Sequence, residues 1–116
     1  MLNGPWYRAP MSSEVLVVLS TLPTADKAAE IARALVEEQL AACVNIVPAV
    51  RSIYRWQGAT QDDSEALAII KTTRDRYAAL ARRVLELHPY ELPELIALPL
   101  EGGHPAYLAW IAGSVS

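Results

Sequence analysis

The sequence predicts an α+β domain of the ferredoxin-like plan. Its order is βαββαβ, with an antiparallel sheet, a long β-hairpin and a short C-terminal helix. Three observations carry that prediction. Two segments, Thr24 to Leu40 and Thr73 to Leu87, repeat apolar residues at helical spacing. Between them, Cys43 to Trp56 is rich in β-branched and aromatic residues and is followed by a turn signal at Gly58. Short apolar runs stand before the first helix and after the second.

Residues 1–12 read as a flexible N-terminal arm, because Gly4, Pro5 and Pro10 break any regular pattern, and Met11 is an alternative start. A single domain follows over 13–116. Val15 to Leu19 is a strand buried on both faces, ended by Ser20-Thr21-Leu22-Pro23. Thr24 caps the first helix, and Asp26 sits in the first turn, where the helix dipole favours an anion. Ala28, Ile31, Ala32 and Leu35 form its apolar face.

In the next strand, Ser52, Tyr54 and Trp56 share one face, with Arg51, Ile53 and Arg55 on the other. Pro48 cannot donate to a ladder, so this strand lies at an edge or bulges there. Gln57 to Asp63 is expected to form the hairpin loop, and Ser64 to Thr72 the return strand. Thr73 is expected to open the second helix, whose face is Tyr77, Leu80, Ala81 and Val84, and Pro89 ends it. Leu95 to Leu98 is a short strand, Gly102-Gly103 a turn, and Pro105 starts a last helix reaching about Ala112.

A length argument leads from fold to assembly. A strand from Val44 to Trp56 spans about 40 Å at 3.3 Å per residue. The first helix spans about 25 Å at 1.5 Å per residue. The hairpin thus overhangs its cover by roughly 15 Å and carries Tyr54 and Trp56 with it. A bare ribbon with exposed aromatics is marginal and aggregation-prone, so further copies of the chain are expected to cover it. Tyr54, Trp56 and Trp110 are the expected interface residues.

Composition excludes several classes. The 116 residues carry a net charge of -3 and a hydrophobic fraction of 53%. The ten Lys and Arg are dispersed, which argues against a nucleic-acid partner. No apolar run is long enough to span a membrane, and the opening residues hold no signal-peptide core. The lone Cys43 permits no intramolecular disulfide, and a cytoplasmic location is expected.

The chemistry-bearing residues are few. Cys43, His88, His104, Met1 and Met11 are the soft or borderline metal donors, and none has a neighbour at chelating spacing. Cys43 reads as a small core residue, and His104 as the N-terminal residue of the last helix. His88 opens His88-Pro89-Tyr90-Glu91-Leu92-Pro93-Glu94, a connector stiffened by two prolines. That connector either makes a tight turn or sets up a polar site, and His88 either ends a helix through hydrogen bonds or ligates a metal. Asp62, Asp63 and Glu65 form a weak candidate cation cluster or a solvated hairpin tip. No Gly-x-Ser-x-Gly elbow surrounds Ser20 or Thr21, so no catalytic residue is assigned. The loop Ser20 to Thr24 lacks the glycine and arginine of an acylphosphatase. The first strand lacks the aromatics of an RNA-recognition module.

Five segments together resemble the divalent-cation tolerance (CutA) family. They are Leu40-Ala41-Ala42-Cys43-Val44-Asn45; Ser52-x-Tyr54-x-Trp56-x-Gly58; Glu65 with Ile70-Lys71-Thr72; His88-Pro89-Tyr90-Glu91-x-Pro93-Glu94; and Tyr107-Leu108-x-Trp110. The resemblance covers Val15 to Ile111. It implies a cytoplasmic homotrimer, related in architecture to PII signalling proteins, that serves metal tolerance, copper above all, without enzymatic activity. An alternative it implies is a PII-like trimer binding a small effector in inter-subunit clefts. The copper ligands proposed for some members are a cysteine ending the first strand and two successive histidines before the Pro-Tyr. Ser20 and Leu87 stand at two of those positions, leaving His88 as the one metal candidate. No obligatory cofactor is implied, and Cu(II) or another divalent cation is expected to bind only weakly.

Overall fold

The apolar run that opens the domain forms strand β1 (Val15–Leu22), and alternation along it decides the two faces of the sheet. The structure is a computed structural model that describes residues 14–116, and the arm expected over residues 1–12 lies outside them. Val18, Ser20 and Leu22 point to one face, which two amphipathic helices cover. These are α1 (Ala25–Glu37) and α2 (Tyr77–Leu87), which contribute Ala28, Ile31, Leu35, Leu80 and Val84 to the main core. Val15 turns to the opposite face and packs with Leu108 and Ile111 of α3 (Pro105–Ser114).

The remaining strands are β2 (Cys43–Trp56), β3 (Ala59–Thr73) and β4 (Ile96–Pro99). They form one four-stranded sheet in the order β2-β3-β1-β4, and every pair is antiparallel. This is the expected α+β, ferredoxin-like sheet with its C-terminal helix. Strand β2 is an edge strand, and its register shifts between Val47 and Val50, around Pro48. Both outcomes follow from the missing N–H of proline.

Two expectations are corrected. The hairpin loop is not Gln57 to Asp63 but the two residues Gln57 and Gly58, with φ of 51° and 81°. Two successive positive φ values match the right-handed twist of the flanking strands, so the ladder runs to Trp56↔Ala59. The second correction concerns Thr73, which ends β3 opposite Val15 instead of opening α2. Its hydroxyl donates to Asp75, a turn follows, and Arg76 takes the N-cap position without a side-chain bond. By contrast, Thr24 caps α1 as expected, its Oγ1 accepting from Lys27 N–H at 3.0 Å.

The tight turn lengthens the overhang. Strand β1 ends at the pair Leu22↔Ala66, so Ala59 to Glu65 run on with only β2 beside them. That ribbon projects about 23 Å at 3.3 Å per residue, more than the roughly 15 Å expected from the sequence. The molecule is accordingly elongated, measuring 52 × 26 × 22 Å.

Candidate functional site

Below the overhang, the connector between α2 and β4 crosses the end of β1. His88 is the C-cap of α2, with φ -74° and ψ 133°, the extended geometry that a following proline imposes. Its backbone N–H closes the helix on Val84 O at 2.8 Å. Its ring Nε2 lies 2.8 Å from the carbonyl oxygen of Thr21, and its Nδ1 lies 3.1 Å from the backbone nitrogen of Tyr90. A carbonyl can only accept and an amide N–H only donate. Nε2 therefore carries the proton and donates to Thr21, while Nδ1 accepts from Tyr90. The imidazole is 8% exposed and works as a clamp between β1 and the connector.

That clamp sets the position of Tyr90, whose ring lies 4.8 Å from the imidazole. The Tyr90 hydroxyl donates to Glu65 Oε2 at 2.8 Å, joining the connector to the root of the overhang. Burial first, and the Glu65 hydrogen bond second, hold the Tyr90 phenol well above the usual tyrosine range. Farther out, the Tyr54 hydroxyl donates to Asp63 Oδ2 at 2.6 Å, and this bond raises the Tyr54 phenol too. On the other face of the ribbon, Arg51 and Asp62 pair through two bonds of 2.9 and 2.7 Å. The three acidic residues of the hairpin thus take three separate partners and form no cation cluster.

Between connector and ribbon lies an open groove of about 710 Å³. Tyr54, Trp56 and Tyr90 supply its rings, and Glu65, Glu91 and Glu94 its charges. No Lys, Arg, His or Cys among the described residues lines it. Glu65 is 9% exposed and has no cationic partner among the described residues. The stretch after α2 is therefore both a tight turn and one wall of a polar site, while the sequence left the two as alternatives.

The structure separates the other candidates. Ser20 is fully buried against the helices, and its Oγ has no hydrogen-bond partner. It borders a void of about 10 Å³ in which it is the only polar side chain among the described residues. Cys43 is half-buried at the start of β2, its thiol 3.7 Å from Asn45 Oδ1. His104 is exposed at the N-cap of α3. Trp110 is half exposed on α3, stacked on Tyr107 with ring centroids 5.6 Å apart. Met1 and Met11 lie outside the described residues. Among the described residues, no group of three or more His, Cys, Asp or Glu converges on a point where a metal ion could sit.

The groove and the clamp were missed at residue level, although Glu65 and Tyr90 both stand in the family-like segments. The signal was a buried-strand glutamate combined with a tyrosine on a proline-stiffened connector; nothing local links residues 25 apart in sequence.

Residues 16–114 match the family described as CutA1 divalent ion tolerance protein. A "Divalent-cation tolerance protein CutA" of Thermus thermophilus is 54% identical over 95 residues, spanning 82% of this chain and 92% of that protein. A "Protein CutA" of Mus musculus is 52% identical over 91 residues, and the match covers 78% of this chain but only 51% of the mouse protein. The solved structure of a Thermus thermophilus divalent cation tolerance protein superposes with a TM-score of 0.85 at 50% identity, covering 88% of this chain and 99% of that one.

Two predictions follow from the buried polar groups. Replacing Ser20 by Ala removes an unsatisfied hydroxyl and should raise the unfolding free energy in a denaturant titration by an amount on the order of 1 kcal/mol; a loss of stability would show that the hydroxyl has a partner. Tyr90 tests the second. Its raised phenol contributes stability that is fully present below the unfolded tyrosine value near 10 and is lost as pH climbs toward the folded value. In an ultraviolet phenolate titration, Tyr90→Phe should delete the last-titrating tyrosine of the folded protein. An unchanged high-pH limb would contradict the assignment.

Proposed function

We propose that this chain, which belongs to the CutA1 divalent ion tolerance protein family, works as a non-enzymatic homotrimer in the cytoplasmic response to divalent metal ions, copper first among them. One observation carries the assembly. Strands β2 and β4 are the two outer strands of the sheet, and each leaves an edge unpaired. Apolar side chains line both edges: Ile53 on the ribbon is 64% exposed, and Ile96 and Leu98 on β4 about half exposed. Joining β4 of one copy to the overhanging β2 of the next covers both. Because the two surfaces differ, the contact is head-to-tail and must close into a ring. Three copies is the number that family resemblance implies. Tyr54, Trp56 and Trp110 lie on surfaces such a ring would bring near a neighbour.

The family is named for tolerance of divalent ions and not for a reaction, which supports a non-enzymatic role. The described residues do not fit a tight copper site. Leu87 has no donor, Ser20 faces the helix-covered core, and both nitrogens of His88 are already bonded. Copper can reach His88 only by breaking one of those bonds, so it is bound weakly and is no resident cofactor. The open groove favours a second reading, a PII-like trimer that takes a small effector between subunits.

Light scattering should give a mass near three times the 12.7 kDa of one chain. Trp56→Asp, which places a charge at the proposed seam, should lower that mass, and a wild-type monomer at micromolar concentration would refute the assembly. Calorimetry with copper(II) chloride should give a Kd in the micromolar range or weaker, about -8 kcal/mol at most. Nanomolar binding would mean that donors outside the described residues take part.

A further inference from the structure

The overhanging ribbon takes its direction from its root. Strand β1 ends at Leu22↔Ala66, so from Glu65 outward no third strand of the subunit fixes the path of β2 and β3. The bonds Tyr54–Asp63 and Arg51–Asp62 join the two ribbon strands to each other, which stiffens the ribbon without aiming it. The bond that reaches from ribbon to body is Tyr90 to Glu65, at the first residue past the end of β1.

Direction matters because of length. A tilt of roughly 10° at the root displaces the tip of a ribbon about 23 Å long by about 4 Å, close to the spacing of about 4.8 Å between neighbouring strands. A ribbon tilted that far no longer lies along the edge strand of a second copy.

A bracket of hydrogen bonds closes at the root. The Thr21 carbonyl accepts from His88 Nε2 at 2.8 Å, His88 Nδ1 accepts from the Tyr90 N–H at 3.1 Å, and the Tyr90 hydroxyl donates to Glu65 at 2.8 Å. Thr21 precedes Leu22 and Glu65 precedes Ala66, so the bracket starts and ends beside the last rung of the β1–β3 ladder. His88 and Glu65 are 8% and 9% exposed within one subunit, so both ends of the bracket are shielded from water before a second copy is added.

His88 does two things at once in that bracket. One ring nitrogen donates and the other accepts, while the flat ring lies 4.8 Å from that of Tyr90. The lone pair on Nδ1 is the one a metal ion would need, and it is the one that holds Tyr90. The proton on Nε2 closes the other nitrogen to a metal. The imidazole is thus unsuited to ligation for the same reason that it suits the bracket.

We infer that His88 is a positioning residue for assembly: acting through Tyr90 and Glu65, it aims the ribbon at the neighbouring copy, and it does so without a metal ion. The inference rests on the trimer proposed above and assigns the histidine its part in it.

The test uses the full chain treated with EDTA. Light scattering follows its mass on dilution, and mass spectrometry follows amide exchange over residues 51–60 of the ribbon. Asparagine places an oxygen where Nδ1 stands and can accept from Tyr90, whereas glutamine places an N–H group where Nε2 stands and can donate to Thr21 but leaves Tyr90 unpaired. The wild type should remain assembled in EDTA. Tyr90→Phe and His88→Gln should each raise the concentration at which the assembly dissociates, and the exchange rate of the ribbon, about tenfold. Exchange in β1 and α1 should not change, and His88→Asn should lie closer to the wild type than His88→Gln. His88→Gln with Tyr90→Phe should be no weaker than Tyr90→Phe alone, since the two act in series. A double variant that adds both effects, a wild type that dissociates in EDTA, or a ribbon and mass indifferent to His88→Gln overturns the positioning role and leaves the trimer standing. Tyr90→Phe, which keeps the ring and the backbone N–H, decides alone if His88→Gln does not fold: an unchanged ribbon in it overturns the role. A wild type that is monomeric with or without EDTA overturns the trimer, and the inference with it.

Discussion

The ladder between β2 and β3 is the constraint on which the rest of this molecule depends. Strand β2 runs for 14 residues, paired with β3 on both sides of the shift at Pro48, while the neighbouring strand β1 offers only eight. The ribbon pairs in register from Val50↔Glu65 to Trp56↔Ala59, but β1 ends at Leu22↔Ala66 and gives it no third strand. A two-stranded ribbon without a packed layer is marginally stable by itself. The turn at Gln57 and Gly58 enforces the length. With both residues in the left-handed region, the strands leave the turn already twisted together, and no loose loop absorbs the excess.

The same overhang creates the groove. A hairpin that stopped at Ala66 would leave the connector lying against solvent, and Tyr90 would have no carboxylate to reach. Because Glu65 is the first residue past the end of β1, it is buried by the connector instead of by the helices. The bond from Tyr90 then fixes the ribbon to the body at its root, and the His88 clamp fixes the connector to β1. Two proline residues favour that geometry, since Pro89 and Pro93 remove much of the entropy the connector between α2 and β4 would otherwise lose on ordering.

How much of this was legible follows from what each segment buries. The apolar stripes of α1 and α2 face one core, so their periodicity is visible in sequence, and Pro48 announced an edge strand with a bulge. The first half of β3 was not legible. Thr60-Gln61-Asp62-Asp63-Ser64 has no apolar alternation because, within one subunit, neither of its faces has a core to meet. Thr73 misled for a different reason: a threonine before a helical stripe looks like a cap, but a strand pairing with Val15 claims it first. The Tyr90–Glu65 bond lies beyond any local pattern.

The copper question turns on strand parity. A cysteine at the end of the first strand and histidines before Pro-Tyr suggest a site only if their side chains converge. In this backbone the side chain at position 20 belongs to the stripe of Val18 and Leu22, packed under the helices. His88 meets β1 through the carbonyl of Thr21, and Ser20 is within hydrogen-bond distance of neither ring nitrogen. A thiol at position 20 would therefore lie beside the small void lined by Leu35 and Ile70. There it would fill space as a small apolar group and stay protonated, since burial in apolar surroundings disfavours the thiolate that metal binding requires. A chain that carries serine here loses little packing and gains an orphaned hydroxyl, which is what the structure shows.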